Sequence, residues 1–258
     1  MTSNHNEMYS IDTHSQPHRV ERVKIPVALS NRYPQPIAQS SPKSPVAEAF
    51  RTIRTNIQFA GVVQETKVIL VTSSQPGEGK TSTVSNLAIV SAQAGNRVLL
   101  LDADMRKPQV HQRFQISNLD GLSNVLIKER ALKDCISTSE TPNLYLLPSG
   151  PIPPNPSEML ASKSFAALVE RCREDFDMVF IDSPPILAVT DALILTRITD
   201  GTILVVDAQN TNRNSAIKAV SMLKQVNARI LGTTLNRVPR KSEGSYYYYY
   251  SHGVQANA

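Results

Sequence analysis

The apolar run Val68-Ile69-Leu70-Val71 leads into Ser74-Gln75-Pro76-Gly77-Glu78-Gly79-Lys80-Thr81, and the helix-like stretch 82–94 follows. A strand, a glycine-rich loop and a helix in that order leave few folds open, because the loop must turn its backbone N–H groups toward an anion at the helix start. The glycines permit that turn, Lys80 offers a mobile positive charge to outer phosphates, and the Thr81 hydroxyl can ligate Mg²⁺. The usual opening glycine of such a loop is replaced by Ser74. The segment therefore implies a nucleotide phosphate site, for ATP or GTP.

The rest of the 258 residues fits one sizeable α/β domain with tails. Residues 1–42 are rich in Ser, Asn, Gln, Pro and His without sustained periodicity, and imply a disordered arm. From Pro45, the residues Ala47, Phe50, Ile53, Ile57 and Phe59 recur at helical spacing until Gly61, which reads as the stop. Apolar runs at 97–101, 144–147, 178–181, 203–206 and 230–235 alternate with helix-like segments such as 158–172 and 215–226. That alternation predicts a largely parallel sheet with helices on both faces, and ligands collecting at the C-terminal strand ends. The proline-rich stretch 148–156 predicts a loop into a helix capped near Ser157. The expected organisation is an arm at 1–42, a domain at 43–238 and a polar tail at 239–258.

Composition excludes several functions. Cys135 and Cys172 are far apart without metal-ligand spacing, and the N-terminus has no signal-peptide pattern, so a reducing, cytoplasmic setting is expected. No apolar run approaches the ~18 residues of a membrane span. The five histidines lie mostly in the tails and imply no metal site. A net charge of +5 without an aromatic-basic motif reads as solvated lysines and arginines, with no nucleic-acid partner.

Two apolar strands end in acid: Leu99-Leu100-Leu101-Asp102-Ala103-Asp104-Met105-Arg106 and Val179-Phe180-Ile181-Asp182-Ser183-Pro184-Pro185. Aspartates there share the sheet edge with the phosphate loop, where they can hold Mg²⁺ or accept a proton from an attacking hydroxyl. The plainer alternative is that Asp102 or Asp182 only caps the next element.

Together these residues resemble the bacterial protein-tyrosine kinases of capsule and exopolysaccharide synthesis, whose kinase domain is P-loop NTPase-like and akin to the division-site and partition ATPases. The resemblance spans roughly 44–250 and rests on the loop 74–81, the Asp-x-Asp-x-Arg strand, the Asp-x-Pro-Pro strand, Glu48-x-x-Arg51-x-x-Arg54, the segment 153–158 and the run Tyr246-Tyr247-Tyr248-Tyr249-Tyr250. It implies ATP and Mg²⁺ bound by Ser74 to Thr81 and Ser82, with Thr81, Asp102 and Asp182 at the metal. Asp102, Asp104 and Asp182 with Lys80 would activate the tyrosine hydroxyl, which of them is the base being left open, and Asn236 and Arg237 would lie on the adenine side. Partition-type relatives carry a second lysine near Ser74 or Gln75, which this chain lacks.

The resemblance also implies a stand-alone cytoplasmic kinase, recruited to the inner face of the membrane by a separate membrane-anchored activator of the polysaccharide chain-length type. Glu48, Arg51 and Arg54 would form a subunit contact of a homo-oligomeric ring; by spacing alone they make a solvated salt-bridge strip. The five tyrosines would be phosphorylated between subunits, other protein tyrosines would be substrates, and phosphate charge would expel the modified tail. The rival expectations are a nucleotide-switched positioning ATPase with water as acceptor, or a nucleotide-binding scaffold without turnover.

Overall fold

A computed structural model describes residues 34–63 and 65–239. The calls for disorder at 1–33 and for phosphorylated tyrosines at 246–250 lie outside the described residues. The strands are β1 (Val68–Ser73), β2 (Val98–Asp102), β3 (Ser137–Thr138), β4 (Leu144–Leu147), β5 (Met178–Asp182), β6 (Gly201–Asp207) and β7 (Ile230–Asn236). They form one sheet in the order β3-β4-β2-β5-β1-β6-β7, in which only the β3–β4 pairing is antiparallel.

The continuous apolar runs have the physical basis expected of central parallel strands, buried on both faces. Along β1, Ile69 and Val71 enter one core while Val68 and Leu70 enter the other. Val98 and Leu100 of β2 divide from Leu99 and Leu101 in the same way, as the two-residue period of a strand requires. Helices cover each face. On one side are α1 (Ile37–Ser40), α2 (Pro45–Val63) and α3 (Lys80–Gln93); Val84, Leu87 and Ile89 of α3 are wholly buried there. On the other, α4 (Pro156–Leu160) and α5 (Lys163–Asp175) contribute Leu160, Phe165 and Val169. A third, smaller core beside α6 (Asp191–Leu195) and α7 (Arg213–Gln225) gathers Ala192, Leu204, Ala219 and Leu223. Each fully buried large side chain contributes about 1.5–3 kcal/mol relative to exposure.

Five local expectations change. The fold begins before residue 43: the Ala38 N–H donates to Asn86 Oδ1 at 2.8 Å, and Gln93 Nε2 donates to the Ala38 carbonyl at 3.2 Å, so α1 is docked on α3. Gly61 lies inside α2 rather than ending it. Phe59 stands 69% exposed because it is two residues, about half a turn, from buried Ile57. The helix expected over 158–172 is two helices. The Ser162 hydroxyl accepts the Phe165 N–H at 3.1 Å and donates to the Met159 carbonyl at 2.7 Å, starting a new helix where the first ends. The first of them is entered through Asn155 with Pro156 in its first turn, and the Ser157 hydroxyl is used elsewhere.

Burial pushes the Cys135 thiol up to about 11 and the Cys172 thiol up to about 12, so both are inert packing residues at neutral pH. Among the described residues no helix is long and apolar enough to cross a membrane, and no group of acidic, histidine or cysteine residues forms a ready-made cluster for a metal.

Candidate functional site

The β2–β5 register sets Asp102 beside Asp182 at the C-terminal edge of the sheet, and β1, paired to β5, delivers the phosphate loop to the same edge. Gly77 and Gly79 have φ of 84° and 95°, in the left-handed region that favours glycine. A Cβ at Gly79 would also clash with Asn236 Nδ2, so the loop and the end of β7 are in close contact there. Asn236 Nδ2 donates to the Glu78 carbonyl at 3.0 Å, which makes Asn236 a support for the loop.

Glu78 is the unforeseen organiser of the loop. Its buried carboxylate accepts the Ser74 N–H at 2.8 Å, the Ser74 hydroxyl, the Gln75 N–H at 3.1 Å and the Thr211 hydroxyl. The N–H groups of Ser74 and Gln75 are committed to an acid within the loop, and the Gln75 side chain turns outward to Ser215. Ser82 is half-buried in the first turn of α3, with its carbonyl accepting from Asn86. Pro76, Gly77, Gly79, Lys80 and Thr81 are the loop residues that line a cavity of about 380 Å³.

Lys80 Nζ lies 2.7 Å from Asp104 Oδ2, 3.7 Å from Asp182 Oδ1 and 3.3 Å from the Thr81 hydroxyl. Burial by itself would lower the Lys80 ammonium, but Asp182 and Asp104 outweigh it and hold it above its ordinary value. Thr81 donates to Asp182 Oδ2 at 2.6 Å, while Asp182 Oδ1 is buried without a hydrogen-bond partner. Burial raises the Asp182 carboxyl, against the opposing pull of Lys80 and Thr81.

Asp102 and Asp104 have different surroundings although they are two residues apart. Asp104 lines the cavity. Asp102 is fully buried and accepts backbone N–H groups from Asp104 at 3.2 Å on Oδ1, and from Gln109 at 3.1 Å and Val110 at 3.0 Å on Oδ2. Burial and the neighbouring Asp182 push its carboxyl well above the usual range. Asp102 thus shapes the segment that presents Asp104, whose Oδ1 in turn accepts the Lys107 N–H at 3.0 Å.

Sequence reasoning missed the anchorage of Arg106. Its guanidinium meets fully buried Asp191 through Nε at 2.8 Å and Nη2 at 3.1 Å, and Ser157 donates to the same carboxylate at 2.6 Å. The Asp191 hydrogen bond raises the Arg106 pKa. Ser157 and Asp191 were not readable as partners because they are 34 residues apart. Arg106, Lys107, Gln109, Arg113, Pro184, Pro185, Ala188 and Val189 complete the lining with Arg237. Arg237 pairs with Asp207, whose carboxyl is held down at about 2 by hydrogen bonds from Asn210, Gln209 and Arg237.

Glu48, Arg51 and Arg54 belong to α2 and stand apart from this cavity. Arg51 donates to Glu48 at 2.8 Å and to the Pro42 carbonyl at 2.7 Å; Arg54 donates to the Val90 carbonyl in α3 at 2.9 Å.

Residues 66–236 match the family described as AAA domain. The chain is 45% identical over 213 residues to the tyrosine-protein kinase YwqD of Bacillus subtilis, covering 82% of this chain and 90% of that one. Among solved structures, the chimerical protein CapA2B2 superposes with a TM-score of 0.77 at 38% identity, covering 82% of this chain and 98% of its own. The kinase domain of Escherichia coli tyrosine kinase ETK gives 0.75 at 32% identity, covering 79% and 81%.

Proposed function

The chain belongs to the bacterial tyrosine-protein kinases, and from that membership we propose that it transfers the γ-phosphoryl group of ATP to tyrosines 246–250 of its own tail and so regulates capsular or exopolysaccharide synthesis and export. The observation that carries the reading is the placement of Lys80 and Asp104, 2.7 Å apart, in a cavity that the phosphate loop also lines. The domain at 43–238, lengthened by α1, is the catalytic unit, and 239–258 is the substrate tail.

Gly77, Gly79, Lys80 and Thr81 hold the phosphates, and Arg237 and Asn236 lie toward the base. The Thr81 hydroxyl and Asp182 Oδ1, which has no hydrogen-bond partner, are oxygen donors of the kind a hard cation takes, so these residues fit Mg²⁺. That ion, when bound, supplies charge neutralisation at the phosphate oxygens. Lys80 exchanges its contact with Asp104 for the outer phosphate, which frees the Asp104 carboxylate to accept the phenolic proton. The phenolic oxygen forms a bond to the γ-phosphorus as the bond from that phosphorus to the β,γ-bridging oxygen breaks, and the electron pair leaves with ADP. Asp102 keeps the Asp104 segment in place through its three backbone hydrogen bonds.

The test is phosphotyrosine detection on the full chain incubated with ATP and Mg²⁺, with and without a chelator. Phosphotyrosine that appears only without the chelator is expected; inorganic phosphate release with no phosphotyrosine would make water the acceptor and overturn the reading.

Glu48, Arg51 and Arg54 are proposed as the contact of a homo-oligomeric ring in which the tail reaches a neighbour, with a membrane-anchored chain-length protein as activator that brings this cytoplasmic kinase to the inner face of the membrane. Other protein tyrosines are further substrates. Arg54 also holds α2 to α3, so its loss has two effects. Arg51→Ala is expected to reduce the oligomer and self-phosphorylation together, with little change in melting temperature. Arg54→Ala should do the same while costing about 1 kcal/mol of stability. Light scattering and phosphotyrosine signal on one sample decide it; an unchanged oligomer in both variants would remove the ring.

A further inference from the structure

The cavity has an apolar wall that phosphate binding leaves unused. Pro184, Pro185, Ala188 and Val189 line the same space as Lys80 and Asp104; the prolines are buried, Val189 is half-buried and Ala188 is exposed. This wall is pinned at both ends. Thr72 donates to the Pro184 carbonyl at 3.0 Å, the Ile186 N–H donates to the Ser73 carbonyl at 2.9 Å, and the Leu187 N–H donates to the Ser74 carbonyl at 3.2 Å. Beyond it, Asp191 is clamped by Arg106 and Ser157. Its distance from the phosphate loop is therefore fixed by the loop's own strand.

Sheet order says which end of the nucleotide the wall faces. The segment follows β5, the middle strand, which lies between β1 and β2, whereas Asn236 ends β7, the edge strand beyond β6, and Arg237 follows it. With the phosphates on the loop after β1 and the outermost one toward Lys80 and Asp104, the base extends toward β7. On the nucleotide orientation proposed above, the wall stands on the acceptor side.

Resting on the kinase reading above, we propose that residues 184–189 form the subsite for the aromatic ring of the acceptor tyrosine. A flat apolar ring removes the wall from water while its hydroxyl points toward Asp104; a serine or threonine hydroxyl is too short to cover the wall and reach the phosphate together. Arg106, Lys107 and Arg113 line the same cavity. The chain supplies five such phenols in succession at 246–250.

The experiment measures phosphoryl transfer to a synthetic peptide of residues 243–252 by the full chain and by Ala188→Phe and Val189→Asp. Ala188 is exposed, so the larger ring fills the acceptor space without opening the core. Each variant is expected to raise the peptide KM about 10-fold or more, while the Kd for a fluorescent ATP analogue shifts by less than about twofold. An unchanged peptide KM overturns the subsite, and so does a KM that rises in step with the nucleotide Kd, which would give the wall to the base. If the unaltered chain hydrolyses ATP but phosphorylates neither peptide nor tail, the kinase reading falls and takes the subsite with it.

Discussion

Lys80→Met is expected to lower tyrosine phosphorylation by at least about 10²–10³-fold, the scale on which a preorganised charge at a reacting oxyanion acts. The variant removes more than a phosphate contact. Lys80 Nζ sits 2.7 Å from Asp104 and 3.7 Å from Asp182, so a methionine leaves two buried carboxylates without their cation. Breaking a buried pair from one side costs about 3–5 kcal/mol unless the acids take up protons. The melting temperature should therefore fall at neutral pH and recover as pH is lowered, because protonation then relieves the repulsion. Phosphotyrosine blots and thermal melting at several pH values check both parts; full phosphorylation, or a melting temperature indifferent to pH, would contradict the placement of Lys80.

Asp104→Asn is expected to reduce phosphoryl transfer by about 10²–10⁴-fold, the contribution of a positioned general base. Nucleotide binding should survive, because Asn retains the shape and the loop residues that hold phosphate are untouched. Asp102→Asn provides the contrast. Its amide can still accept through Oδ1 but cannot accept at both positions, so the Asp104 N–H or those of Gln109 and Val110 lose a partner. Single-turnover transfer with the nucleotide Kd measured alongside separates the two: Asp104→Asn should lose rate alone. A rate retained in Asp104→Asn would move the base to another carboxylate.

The parts legible in the sequence were those whose chemistry is local. Val68 to Thr81 reads as strand, loop and helix because consecutive residues make that transition, and the acids at 102 and 182 announce themselves as the first polar residues after apolar runs. What escaped depends on contacts between distant residues. Glu78 looks like a loop residue facing phosphate, but Thr211 helps hold it inward, 133 residues away. The docking of α1 depends on Asn86, and no four-residue helix advertises itself by periodicity. The split at Ser162 did have a local signal, a serine N-cap, which the apolar spacing of 158–172 concealed.

The register that sets Asp102 against Asp182 has a further consequence, for tolerance rather than catalysis. Both carboxyls are fully buried and both are raised above their usual range, so the folded chain holds protons there that the unfolded chain would release. Stability drawn from this edge therefore declines as pH climbs above the ordinary carboxylate range. A chain selected only for durability would place amides or aliphatic groups at these two neighbours. This one keeps two acids side by side, fully buried, and gives up some margin against heat at neutral pH to hold them there.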